Sequence, residues 1–301
     1  MAPGRTEPAL PRRAGRRPHL PVDEALAPFA ERLRQHLPSP DEIEQAAAQR
    51  RAVAGKRRAA AAVLGLAVLA GALLWADPVL QQRTLATSIG ERRSWELPDG
   101  SAVQLNSGTQ VQVALRLRSR QLLLERGEAA FEVAHAPWHG LLPRLRRPFT
   151  VRAGAVEVED IGTVFNVRRD GEGAQVTVLE GRVRVRSDGG VAAQDLRAGE
   201  SLWVRPGAAP AAPRWVDAGA ATAWRAGHLL LDDTPLAEAV ARMQPHHAGA
   251  IVLTDARVGA LRISGHFDLD RIDQLLGLLP RLAPVRVQRR EDGSVLISAS
   301  P

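Results

Sequence analysis

Four hydrophobic patterns follow one another along the chain. The first is helical: Leu26, Phe29, Leu33 and Leu37 recur at three- to four-residue spacing behind Asp23, a good N-cap residue, so one short amphipathic helix is expected. Pro38-Ser39-Pro40 ends it. Ser39 and Glu42 have capping-box spacing around Pro40 at the first helical position, which predicts a second helix running on from there. The second pattern is Ala59 to Ala76, eighteen apolar or small residues without a charge. As a helix rising about 1.5 Å per residue this run reaches about 27 Å, enough for the hydrocarbon core of a bilayer. Trp75 stands at its far end, where interfacial aromatics anchor.

The third pattern has the period of strands. Short alternating runs such as Val111-Val113-Leu115, Phe131-Val133, Val156-Val158, Val176-Val178 and Val183-Val185 are separated by turn signals at Pro98-Asp99-Gly100, Arg126-Gly127, Asp170-Gly171, Glu180-Gly181 and Asp188-Gly189-Gly190. They predict an all-β domain over 89–205, followed by a Pro/Ala-rich linker in 206–223. The fourth pattern mixes both periods: strand 228–231, helix 235–243, strand 251–254, strand 261–266, helix 271–279, then strands near Val285 and Val295. Residues 224–301 therefore read as a small α/β module. The stretch 77–88 shows no clear period and reads as a linker.

Charge fixes how the apolar run is used. Five basic residues lie between Arg50 and Arg58, and residues 1–58 carry twelve Lys plus Arg against seven Asp plus Glu. Residues 77–301 carry 28 basic and 26 acidic side chains. The positive-inside rule then predicts a single-pass membrane protein, with 1–58 in the cytoplasm, 59–76 as the transmembrane helix and the remainder across the membrane, in the periplasm if the cell is Gram-negative. A cleaved signal peptide or a buried soluble helix is the alternative; the 58 residues that precede the run and the basic flank argue against both. The same asymmetry accounts for most of the basic excess, and no zinc-finger spacing or RNP-like aromatic motif accompanies it, so direct nucleic-acid binding is not expected. Cysteine is absent, which excludes disulfides and thiol chemistry. The cytoplasmic segment is too short to bury a sizeable core alone. Leu26, Phe29, Leu33 and Leu37 either dock into a groove on a partner or pack against the second helix.

Leu97-Pro98-Asp99-Gly100-Ser101 with Leu105-Asn106, then Arg126-Gly127-Glu128-Ala129-Ala130-Phe131-Glu132-Val133, Pro148-Phe149-Thr150-Val151, Gly162-Thr163-Val164-Phe165-Asn166-Val167 and Val178-Leu179-Glu180-Gly181 together resemble the ordered signature of FecR-type regulators, the single-pass anti-sigma factors of cell-surface signalling. Trp224 and Leu231-Asp232-Asp233-Thr234-Pro235-Leu236 are similar to the stretch that opens the C-terminal module in that family. The resemblance implies a multi-domain chain: a short helical cytoplasmic segment, one transmembrane helix, an all-β FecR-like domain and a module like the secretin/TonB short N-terminal domain. It implies an extracytoplasmic-function sigma factor as the cytoplasmic partner; the amphipathic positions Leu26, Phe29, Leu33 and Leu37, which lie outside the resembling stretch, are the candidate contact. It further implies the periplasmic signalling domain of a TonB-dependent outer-membrane receptor as the input, release by envelope proteases, and control of iron-siderophore or haem uptake. The family commonly has a longer cytoplasmic domain with a tryptophan, whereas here no Trp precedes Trp75. A structural envelope or secretion-assembly protein without a sigma partner is the alternative reading.

Candidate chemistry is sparse. Gly162-Thr163 could support self-cleavage, in which the threonine hydroxyl attacks the preceding carbonyl, as in some members of the resembled family; a tight turn entering a strand is the plainer reading. Phe131, Phe149 and Phe165 are assigned to the core, and the two asparagines, Asn106 and Asn166, to backbone turns near strand ends. His246, His247 and His266 are taken as core or surface residues rather than metal ligands, and Asp232-Asp233 as caps of the following helix. No catalytic motif, cofactor site or metal site is recognised beyond these.

Overall fold

The computed structural model describes residues 38–134, 147–188, 191–207 and 211–300. Two compact units divide the chain, Met1–Gly71 and Ala72–Pro301. The first is helical where it is described. Helix α1 spans Pro40–Ala76 and opens with the capping box: Ser39 N donates to Glu42 Oε2 at 2.8 Å, and Glu42 N donates to Ser39 Oγ at 3.2 Å. By length and composition it is apolar enough to cross a membrane, and none of its apolar window is covered by protein. A soluble core helix would be covered, so an uncovered one is compatible with a single span. The expected helix carrying Leu26, Phe29, Leu33 and Leu37 lies outside the described residues.

The second unit begins with a β-sandwich. In chain order its strands are β1 (Val79–Ala86), β2 (Arg93–Glu96), β3 (Ala102–Leu105), β4 (Gln110–Arg116), β5 (Arg120–Arg126), β6 (Glu128–Glu132), β7 (Phe149–Ala153), β8 (Val156–Asp160), β9 (Val164–Asp170), β10 (Gly173–Glu180), β11 (Arg182–Ser187), β12 (Val191–Arg197), β13 (Glu200–Val204) and β14 (Arg214–Trp215). One sheet has the order β1-β4-β5-β7-β8-β11-β12 and the other β14-β13-β10-β9-β6-β3-β2. All neighbours are antiparallel except β5 and β7. The alternation seen in the sequence is the inward face: along β4 buried and half-buried residues alternate without a break. The centre of the sandwich is aromatic. Phe131 stacks on Phe165 at 5.2 Å and meets Phe149 edge-on at 6.1 Å, and all three are buried.

The structure places strand β1 within the 77–88 stretch that reads as a linker. β1 is an edge strand in which Leu85 alone is buried, so the alternation that marks a half-buried strand is missing from its sequence. The 206–223 stretch likewise holds β14 and a short helix, α2 (Ala218–Ala221), capped by Asp217.

The α/β module follows: β15 (His228–Pro235), α3 (Leu236–Met243), β16 (Ile251–Leu253), α4 (Ala256–Ala260), β17 (Arg262–Asp268), α5 (Ile272–Leu282), β18 (Val285–Arg289) and β19 (Val295–Ala299). β15 pairs with β17, and β16-β19-β18 form a three-stranded sheet. Leu236, Met243, Leu276, Leu279 and Ile297 fill its core, which also takes in Ala130 from β6 of the sandwich. Asp232-Asp233 do not cap α3. Pro235 keeps Thr234 extended, so β15 continues through a bulge, Asp233 takes φ 42°, and its carboxylate pairs with Arg262 at 2.9 Å. α4 is too short to leave a period in the sequence; Asp255 caps it by accepting from Arg257 N at 2.8 Å and Val258 N at 3.0 Å.

Candidate functional site

The corner between β8 and β9 brings Asp160, Gly162 and Thr163 together. β8 ends in Asp160, Gly162 turns the chain at φ 108°, and Thr163 leads into β9. Asp160 and Thr163 are both buried. One oxygen, Asp160 Oδ1, accepts from Gly162 N at 3.0 Å and from the Thr163 hydroxyl in a short bond. A carboxylate that accepts a hydroxyl proton raises the nucleophilicity of the oxygen, and only glycine takes up this φ freely.

A second glycine shapes the other side. Gly181, at φ 77° between β10 and β11, lies so close to the Gly162 carbonyl oxygen that a Cβ there would collide with it. The Gly-Thr and Glu-Gly pairs of the sequence thus meet in space. Their separation along the chain hides this, and Asp160 carries no signal of its own among the many acids of β strands.

The remaining motif residues build the frame. Glu128 accepts from Asn106 Nδ2 at 2.9 Å and from Asn166 Nδ2 at 2.8 Å, so the two asparagines meet on one carboxylate rather than on turn backbone alone. Asn106 Oδ1 does bind the backbone N of Ser107 at 2.8 Å. Gly127, at φ 86°, faces Thr109 too closely to admit a side chain. In the Leu97–Ser101 turn, Asp99 pairs with Arg120 at 2.5 Å. Burial acts to raise the Asp99 carboxyl pKa, but hydrogen bonds from Arg120 and Ser101 outweigh it and hold the pKa below the usual range.

Where the module meets the sandwich there is a polar cavity of about 40 Å³, lined among others by Glu128, Asn166, Trp224, His246 and Leu269. Asn166 Oδ1, Trp224 Nε1 and His246 Nδ1 are buried here without a hydrogen-bond partner among the described residues. Burial and the nearby Arg92 charge lower the His246 pKa to about 4. Across the same seam Arg92 pairs with Asp270 at 2.6 Å and Arg225 Nε donates to Gln104 Oε1 at 2.5 Å. His247 turns to Gly249 and Asp273, and His266 packs edge-on against His228 at 4.6 Å. Among the described residues no group of three His, Cys, Asp or Glu side chains could hold a metal ion.

This architecture has known counterparts. The family described as FecR protein matches residues 83–184. Two crystal structures of a candidate anti-sigma factor from Parabacteroides distasonis superpose with TM-scores of 0.61 and 0.62, at 24% and 25% identity, each covering 73% of this chain and 100% of its own. No curated protein matches the chain. The Gly162-Thr163 corner, the Glu128 frame and the aromatic centre therefore all lie in one recognised unit, and the chain carries a FecR domain over residues 83–184.

Proposed function

We propose that this chain is a single-pass regulator that restrains or escorts a sigma factor and releases it on a signal from outside the inner membrane. The observation that carries the reading is a FecR domain set directly behind an uncovered apolar helix with a basic flank. The likeness to the Parabacteroides structures supports it. In this reading residues 1–58 face the cytoplasm and hold an extracytoplasmic-function sigma factor through Leu26, Phe29, Leu33 and Leu37. The α/β module, akin to the secretin/TonB short N-terminal fold, receives the periplasmic signalling domain of a TonB-dependent receptor, and envelope proteases free the cytoplasmic fragment. Genes for iron-siderophore or haem uptake are the expected target.

Self-cleavage belongs to the same proposal. Thr163 Oγ attacks the Gly162 carbonyl carbon while its proton passes to Asp160. The C–N bond then breaks as the nitrogen takes up a proton, and water hydrolyses the resulting ester. Thr163→Val in the full chain should leave a single polypeptide where the parent gives two fragments, with Thr163→Ser retaining scission; a parent that stays intact removes this step.

Crosslinked pull-down of the full chain from membranes, read by mass spectrometry, tests the main reading. Recovery of a sigma factor, lost on Phe29→Asp with Leu33→Asp, supports it. Envelope-assembly proteins in place of a sigma factor would replace it with a structural role.

A further inference from the structure

The chain leaves α1 through a strained residue that is held from several sides. Asp77 has φ 43°, in the left-handed region that side chains disfavour. Its carboxylate accepts from Arg118 N at 2.5 Å and from the Ser119 hydroxyl. Its carbonyl accepts from the Arg116 guanidinium at 3.1 Å, while Arg118 reaches back to the Leu74 carbonyl at 3.0 Å. Leu117 N donates to the Pro78 carbonyl at 3.0 Å. The turn between β4 and β5 thus grips the backbone of 74–78. Burial acts to raise the Asp77 carboxyl pKa, but the hydrogen bonds of Ser119 and Arg118 and the charges of Arg116 and Arg118 prevail and lower it.

Beyond the grip, β1 is held lightly. Among the described residues it pairs with β4 alone, and Leu85 is its one buried side chain. At the far end Thr87 N donates to the Thr109 carbonyl at 2.9 Å and Thr87 Oγ1 to the Asn106 carbonyl at 2.6 Å. The strand is therefore pinned at both ends and held between them by its ladder to a single neighbour and one buried side chain. It can be peeled without opening the aromatic centre. A protease needs an extended stretch free of its own ladder, so local opening of this kind controls cutting.

We propose that residues 77–87, the stretch behind α1, form a strap whose pairing with β4 keeps it from endoproteases, with the Asp77 carboxylate as its releasable pin. The use made of the strap rests on the proteolytic release proposed above; its existence does not. The experiment uses the full chain in lipid vesicles and limiting subtilisin, with cut sites mapped by mass spectrometry. Asp77→Ala should raise the cutting rate within 77–87 at least tenfold and leave cuts after residue 205 unchanged. The chain has no cysteine, so Gln82→Cys with Ala114→Cys, opposed across β1 and β4, forms one disulfide that should restore protection to Asp77→Ala. An unchanged rate, or equal acceleration at all sites, would overturn the strap. Sigma-factor capture plays no part in this readout, so failure of the strap and failure of the regulatory reading are told apart.

Discussion

Phe165 and Asn166 are neighbours on β9, yet they belong to two different kinds of interior. Phe165 points into the dry sandwich, stacked on Phe131. Asn166 points to the cavity under the α/β module, where one of its two polar atoms has no partner. β6 divides in the same way, with Ala130 given to the module's core and Phe131 to the sandwich. The strand pleat thus separates a centre fixed by packing from a seam held by polar and charged groups. Packed apolar cores resist opening, whereas polar seams with water access part at lower cost.

The largest expected effect is on the dry side. Phe165→Ala should cost about 3–5 kcal/mol by cavity formation, read as a lowered denaturant midpoint of the full chain. Asn166→Ala should cost less, about 1–3 kcal/mol, because Glu128 keeps its bond from Asn106. Equal costs would erase the distinction. Next, Gly181→Ala should lose about 1–3 kcal/mol from its left-handed backbone alone. It would also displace the Gly162 carbonyl and suppress any scission at 162–163, visible on a denaturing gel.

Acid should act on the seam. The His246 pKa falls from 6.5 to about 4 on folding, so between these values the unfolded chain binds a proton that the folded one refuses. Stability is then full above pH 6.5 and falls as pH drops toward 4, by up to about 1.4 kcal/mol per pH unit. Denaturation at a series of pH values should show this slope, and His246→Gln should flatten it. An unaltered slope would assign the proton elsewhere. The smallest effect is expected for Arg92→Ala, about 0.2–1 kcal/mol, since Asp270 is largely exposed.

The half-buried strands and the order of the α/β module were legible in the sequence because period and turn residues carry them. β1 was not, because an edge strand with one buried side chain has no period to read. The corner at 162–163 was half legible. Its glycine and threonine stand together, but Asp160 and Gly181 join them only through the turn and the sandwich. By sequence Asn106 and Asn166 look like turn residues, and their shared carboxylate appears only when β6 lies between β3 and β9. Asp232-Asp233 have the look of a helix start, but Pro235 extends β15 through them.

The corner also occupies a particular place in the weave. Strands β1 to β8 precede it and β9 to β14 follow it, and each group supplies strands to both sheets. A chain nicked between Gly162 and Thr163 would therefore stay threaded together, its two pieces clasped by the β6–β9 and β8–β11 ladders and by Phe131 against Phe165. Such a nick would turn a covalent tether into a mechanical fuse, silent at rest and able to part under a pull on either piece.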